Sequence, residues 1–210
     1  MKLQDLRAWI TSRLIPLESY DPAAHGGHSD FDLNPGDTTV LTALAAAAVL
    51  VPLVEHPAGV TVLFTRRADT LRRHTGQIAF PGGRSDPGET PWETALREAE
   101  EEIGLDPDHV SVAGLCPRYQ TGTGFDITPV VAFVRPGFTL DPNPAEVADV
   151  FETPFAFLMD PANHERRFRE QSDGLRRYFY AMPYEDRLIW GATAGMVRGL
   201  YERLYGPAEA

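Results

Sequence analysis

Residues 82–105, GGRSDPGETPWETALREAEEEIGL, constrain this chain more than any other stretch. They carry the local signals of one helix. Thr90 is a good N-cap, and Pro91 falls in the first turn, where a missing N–H removes no intrahelical bond. Glu93, three residues after Thr90, can complete a capping box, and Gly104 can end the helix in a left-handed conformation. Between these caps lie Arg97, Glu98, Glu100, Glu101 and Glu102. Glu98 shares a face with Glu101 and Glu102, and like charges at that spacing repel by a few tenths of a kcal/mol per pair. The cluster also sits in the last turns, where the helix dipole favours cations. A well-capped helix with a misplaced anionic cluster needs a compensating cation. Three carboxylates on one face suit a hard divalent ion such as Mg2+ or Mn2+. Taken alone, the run reads more simply as a solvated acidic face.

The chain has 210 residues, 43% of them hydrophobic, enough for one large domain or one domain with extensions. Cys116 is the only cysteine and cannot form an internal bridge, which fits a reducing compartment. The longest apolar run, 43–54, is too short to span a bilayer and contains Pro52. No early apolar stretch resembles a signal peptide. The expected location is cytoplasmic, with no membrane partner. The net charge of -11 argues against nucleic acid as a partner, because phosphate backbones need a cationic surface.

Along the chain, 3–14 places Leu3, Leu6, Trp9, Ile10 and Leu14 near helical spacing. Residues 21–38 are rich in Asp, Gly, His and Pro and read as a linker or wrapped loop. There, His25 and His28 with Asp30 and Asp32 read as exposed loop residues rather than a metal site. The chain therefore divides into an N-terminal helix and linker, 1–38, and a main domain, 39–210. Strands are expected at 46–54 (with Pro52 at an edge or bulge), 60–65, 76–80, 110–115 and 127–134. Residues 66–75 read as a basic loop and 144–159 as a helix interrupted near Pro154. A hairpin around Asp173-Gly174 joins 168–171 to 176–182, and 189–205 forms a final amphipathic helix. Strand pairs joined both locally and by helices predict a mixed sheet covered by helices on two faces.

Gly83 is followed after five residues by Glu89, and after seven more by Arg97-Glu98-Ala99-Glu100-Glu101-Glu102-Ile103-Gly104-Leu105. This resembles the signature of the Nudix hydrolases at every fixed position, with Ala99 a small choice at an aliphatic site. The resemblance implies a Nudix-type α/β/α sandwich with a mixed β-sheet. It also implies metal-dependent hydrolysis of a nucleoside diphosphate linked to another moiety. In that chemistry Glu98, Glu101 and Glu102 hold Mg2+ or Mn2+, which bridges pyrophosphate oxygens and activates water. Glu101 is either the third ligand or the base for the attacking water, and Glu98 is a catalytic candidate beside it. Arg97 either pairs with Glu89 to hold the loop against the helix or orients a catalytic glutamate. Gly82 and Gly83 permit sharp turns and close approach to substrate. Glu100 is expected in solvent, and Trp92, Ala95 and Leu96 in packing.

A second pattern runs upstream: Leu63-Phe64-Thr65-Arg66-Arg67-Ala68, then Arg72, Gly76 and Phe80-Pro81-Gly82-Gly83. It resembles the motif preceding the signature in coenzyme A pyrophosphatases, with Phe64 where leucine is usual. The segment 189–194, IWGATA, is similar to the start of the last helix in that group. The implied substrate is a small molecule, coenzyme A or a derivative, split into 3′,5′-ADP and 4′-phosphopantetheine. Arg66, Arg67 and Arg72, with Arg73 beside them, form a basic island in an acidic chain, and guanidinium groups suit such phosphates. His74 reads as structural or exposed. Alternatives are another nucleoside diphosphate derivative, such as a dinucleotide, nucleotide sugar or nucleoside triphosphate, and a non-catalytic ligand sensor on the same fold. A homodimer is compatible with the sequence, which does not assign a role to 1–45.

Overall fold

The computed structural model describes residues 3–23, 27–37, 44–68, 76–171 and 174–206. The strands are β1 (His28–Ser29), β2 (Ala45–His56), β3 (Gly59–Arg67), β4 (Ile78–Ala79), β5 (Gly82–Arg84) and β6 (Val110–Leu115). They continue as β7 (Tyr119–Gln120), β8 (Phe125–Val134), β9 (Val147–Pro154), β10 (Glu165–Glu170), β11 (Arg176–Tyr184) and β12 (Arg187–Trp190). The α-helices are α1 (Leu3–Thr11), α2 (Pro91–Ile103), α3 (Phe155–Leu158) and α4 (Ala192–Tyr205). Among the described residues, β1 to β9 form one mixed sheet and β10 to β12 a smaller antiparallel one.

Strand β2 organises the large sheet. It runs parallel to β8 from Ala45↔Phe125 to Val54↔Val134, and antiparallel to β3 and β5. Its apolar run is buried on both faces, as expected of a strand covered on two sides. Val49, Val51 and Leu53 enter one core cluster with α1, α4 and the small sheet. Ala48, Leu50 and Val54 enter the other, with Ala95, Ala99 and Ile103 of α2. The architecture is therefore the expected α/β/α sandwich, with α2 on one face and α1 and α4 on the other.

The structure revises several local expectations. Pro52 lies inside β2, buried, rather than at its end. On the side where its N–H is missing, β5 ends at Val49 and β3 begins at Leu53, so the proline removes no ladder bond. Arg66 and Arg67 belong to β3 rather than to a loop. Residues 147–154 form β9, which pairs with β3 from Thr61↔Pro154 to Arg67↔Val147. Tertiary pairing overrides the helical reading there, and only the short α3 follows. Ile189 and Trp190 lie in β12, so the last helix begins at Ala192. The expected strand at 76–80 shrinks to β4.

The N-terminal segment is packed onto this frame. Ile10 and Leu14 are buried in the α4-side cluster, and Ile15 bridges to Leu115. Residues 28–37 then cross the small sheet. Asn34, 8% exposed, donates through Nδ2 to the carbonyls of Asp30 and Tyr178, each at 2.9 Å. Its Oδ1 accepts from the Tyr178 N–H at 2.7 Å, so the amide satisfies both backbone groups of a residue where β11 lacks β12 as a partner.

Candidate active site

Helix α2 forms as its sequence dictates. Thr90 N donates to Glu93 at 2.8 Å and Glu93 N returns a bond to Thr90 Oγ1 at 3.4 Å. Gly104 closes the helix at φ 65°. The neighbouring loop satisfies its last carbonyls: Asp141 N donates to Ile103 O and Asn143 N to Glu102 O, both at 2.9 Å.

Much of the cation that the acidic face requires comes from within the helix. Arg97 Nε and Nη2 grip Glu89 at 2.7 and 3.0 Å, and Nη1 reaches Glu98 at 2.9 Å and Glu101 at 3.2 Å. Nη2 also donates to the carbonyl of Arg84 at 3.1 Å, which fastens the preceding loop to the helix. The bidentate bond from Arg97, together with the Asp86 N–H, holds the Glu89 carboxyl down to about 2. The same contacts raise the Arg97 guanidinium further above its usual range.

Behind this network one acid, Glu98, is half-buried and another, Glu102, is buried. Glu98 lies directly under Gly83, where an added Cβ would sit 2.4 Å from its carboxylate. Burial raises its pKa, against the opposing pull of Arg97. Glu102 is 4% exposed, accepts the Gly82 N–H at 3.2 Å and has Arg67 Nη1 at 3.9 Å. Burial pushes its carboxyl up to about 7, with Gly82 and Arg67 pulling the other way and Glu146 and Glu98 adding repulsion. Gly82 itself is at φ 156°, pressed on β2 so closely that a Cβ would lie 2.4 Å from the carbonyl of Ala48. The two glycines thus do different things: Gly82 lets the loop lie on the sheet, and Gly83 leaves room for a carboxylate.

Glu98, Glu102, Gly82, Gly83 and Arg67 are brought together, with Arg97 bridging to Glu101. Glu101 keeps a side chain that is 60% exposed. Arg66 pairs with Ile78 across β3–β4, and Arg72, Arg73 and His74 lie outside the described residues. Glu100 is exposed, Ala95 is buried, and Trp92 and Leu96 pack against the α2-side core, as expected. Among the described residues, no three His, Cys, Asp or Glu side chains converge at metal-ligand spacing. His25 is outside the described residues. His28 is half-buried between Asp32 at 3.5 Å and Glu202 at 3.7 Å, rather than in open solvent.

Glu146 is the residue that sequence reading misses. It raises the pKa of both Glu98 and Glu102, and its carbonyl accepts the Ala68 N–H at 2.8 Å just beyond Arg67. Reading 144–159 as a helix hid it, because its approach to the acids depends on the Asn143 loop docking onto α2. The turn signal Asn143-Pro144 was the available clue.

The NUDIX domain family matches residues 44–174, more than half of the chain. The chain belongs to the Nudix hydrolase family. Relatives named Nudix hydrolase NudL, and described as uncharacterized, come from Pectobacterium atrosepticum and Photorhabdus laumondii. Each is 41% identical over 160 residues, covering 73% and 75% of this chain and 80% and 84% of theirs. A crystal structure from Deinococcus radiodurans aligns over 90% of this chain and 97% of that one, with a TM-score of 0.49 and 16% identity. Among the described residues, no helix is long and apolar enough to cross a membrane.

Proposed function

We propose that this Nudix hydrolase cleaves the pyrophosphate of coenzyme A or its derivatives, with Mg2+ or Mn2+, releasing 3′,5′-ADP and 4′-phosphopantetheine. The observation that carries the reading is the placement of Arg67. The upstream arginine motif resembles that of coenzyme A pyrophosphatases, and Arg67 brings it to 3.9 Å from the buried carboxylate of Glu102. The motif that narrows the substrate and the helix that marks the family therefore meet at one point.

The donor chemistry fits a hard divalent ion. Glu98 and Glu102 are carboxylates whose burial and mutual repulsion leave their negative charge under-compensated, and Glu146 adds a third acid nearby. Glu98 and Glu102 would hold the ion, with Glu101 joining when it leaves Arg97. When bound, the ion supplies charge neutralisation for the pyrophosphate and acidifies a water molecule. The chain supplies position. Arg97 ties Glu89, Glu98 and Glu101 to the Arg84 carbonyl, so the loop cannot drift from the helix. Gly82 fixes Glu102 through its N–H, and Gly83 leaves room for the Glu98 carboxylate. Arg67, with Arg66 beside it on β3, offers guanidinium donors to phosphoryl oxygens. Where it does not serve as the third ligand, Glu101, the most exposed of the three acids, would take the proton of the attacking water. Water adds to one phosphorus as the bridging P–O bond breaks.

Incubation of the purified protein with coenzyme A and Mg2+ or Mn2+ is the test. Release of 3′,5′-ADP is the expected result. A panel of NADH, ADP-ribose and nucleoside triphosphates compares kcat/KM, and faster turnover of any of these overturns coenzyme A as the preferred substrate. Binding without turnover of any member would favour a sensor.

A further inference from the structure

A cavity of about 500 Å3 opens on the α4 side of the large sheet, within the range of roughly 300–1,000 Å3 usual for small-molecule sites. Most of its walls lie outside the family-matched residues 44–174: residues 28–33 precede them, and 177–202 follow. Arg169, Tyr119 and the 121–123 loop complete it from within the matched domain.

One wall is charged in an unusual way. Arg169 and Arg177 both line the cavity and stand directly opposite each other across the β10–β11 pair. Like charges at directly opposed positions destabilise an antiparallel pair. Arg177 has Asp37 at 3.6 Å, but Arg169 has no ion-pair partner among the described residues. Phe179 follows Arg177 by two residues, and Trp190 lies opposite Ala181, so both share that face of the sheet. Their rings meet at 5.4 Å and 60°, half-buried at the cavity wall. The acids across the cavity are already engaged. Asp30 accepts from the Tyr119 hydroxyl at 2.9 Å and Gly122 N at 2.8 Å, and Glu202 accepts from Arg198 at 2.6 Å. The cavity therefore combines a paired guanidinium site with an aromatic surface.

It also reaches the β3–β4 edge of the sheet, where Arg67 lies. Gln77 and Ile78 line it, and the N–H of Arg67 donates to Gln77 O at 2.9 Å. Gly82, which donates to Glu102, follows Ile78 by four residues, a reach of at most about 14 Å. A molecule that rounds the β4 edge from the cavity toward Gly82 would carry a further phosphate in the cavity and a phosphoanhydride toward Glu98 and Glu102.

We propose that this cavity receives the nucleotide half of coenzyme A, with the 3′-phosphate between Arg169 and Arg177 and the adenine against Phe179 and Trp190. The proposal rests on the coenzyme A reading and assigns the part of the molecule that distinguishes it from its dephosphorylated precursor.

Binding tests it without turnover. Titration with 3′,5′-ADP is followed by quenching of tryptophan fluorescence, with 5′-AMP as the ligand lacking the 3′-phosphate and Trp190→Phe locating the signal. The expected preference for 3′,5′-ADP is about tenfold or more, falling to about twofold in Arg169→Gln. Equal affinity for the two nucleotides, or an Arg169→Gln variant that keeps the full preference, overturns the proposal. Hydrolysis is read separately, as the ratio of kcat/KM for coenzyme A over dephospho-coenzyme A. That ratio should collapse in Arg169→Gln. An unchanged ratio in an enzyme that turns over coenzyme A removes the cavity assignment and leaves the substrate reading intact. Arg169-dependent preference for 3′,5′-ADP with no turnover of coenzyme A does the reverse.

Discussion

Helix α2 and the α4-side cavity are built on opposite plans. The helix and its loop lie within residues 82–105, and their key contacts are short in sequence: Thr90 to Glu93, Arg97 to Glu89, Arg97 to Glu98 and Glu101. The cavity draws on residues from 28 to 202, joined through the β10–β11 pair, the Asn34 strap and the Thr193–Ile78 bond at 3.0 Å. The family match contains the whole of the first and little of the second. Chemistry written locally can be kept as a unit while the surroundings change. A recognition surface assembled from distant segments can vary without touching that chemistry.

Substitutions should separate the two regions. The largest effect is expected from Glu102→Gln, with a loss on the order of 10²–10⁴ in turnover of coenzyme A. In chelator at pH 7 the same variant should melt above wild type, because it removes a buried charge that has only Gly82 N–H and a distant Arg67 for compensation. A variant within twofold of wild-type activity would refute its place in the centre.

The two glycines sharpen the contrast inside the local region. In Gly83→Ala the new Cβ meets the Glu98 carboxylate, the free end of a flexible side chain. Activity should fall about 10²-fold with little change in Tm, since misplacement by about 1 Å has that scale of effect. In Gly82→Ala the Cβ meets the rigid backbone of Ala48 and Val49. That variant should lose about 1–3 kcal/mol in denaturant melts. Equal stability losses would show that the loop responds as one body.

Asn34→Ala tests the strap. It leaves the Tyr178 backbone groups without their amide partners and should cost about 1–3 kcal/mol. If the plans are separate, turnover by the remaining folded protein should change much less than in Gly83→Ala.

The smallest effect is a pH dependence. The carboxyl of Glu89 falls from 4.5 to about 2 in the folded state, so it favours folding above pH 4.5. That contribution is lost as pH drops from 4.5 through 2. Glu89→Gln lacks the titration, so its Tm should fall less steeply than that of wild type between those limits. Parallel Tm curves would show that Arg97 does not depend on this partner.

These differences explain what could be read from the chain. The caps of α2, the acids and the sandwich class follow from local spacing and apolar runs, and the structure contains them. Glu146 was hidden because Val147–Pro154 became a strand through pairing with β3, a choice made by tertiary contact rather than by its own residues. Arg169 and Arg177 were legible as hairpin residues, but their opposition depends on register, which one residue of slip would reverse. The role of residues 28–37 rests on Asn34 meeting the Tyr178 backbone across 144 positions, beyond any local signal.

The parallel pairing of β2 with β8 has a consequence for how the enzyme comes into being. Ala45 waits for Phe125 and Val54 for Val134, and the entire segment 82–105 lies in the loop that this pairing closes. During synthesis α2 can form from its own caps before β8 has left the ribosome, but parallel pairing between such distant segments is slow. Until that loop closes, Gly82 lacks its completed sheet and Glu102 its buried pocket. The nascent chain therefore carries the recognisable hydrolase signature before it carries a hydrolase, and activity should arise in one late step rather than accumulate with helix content.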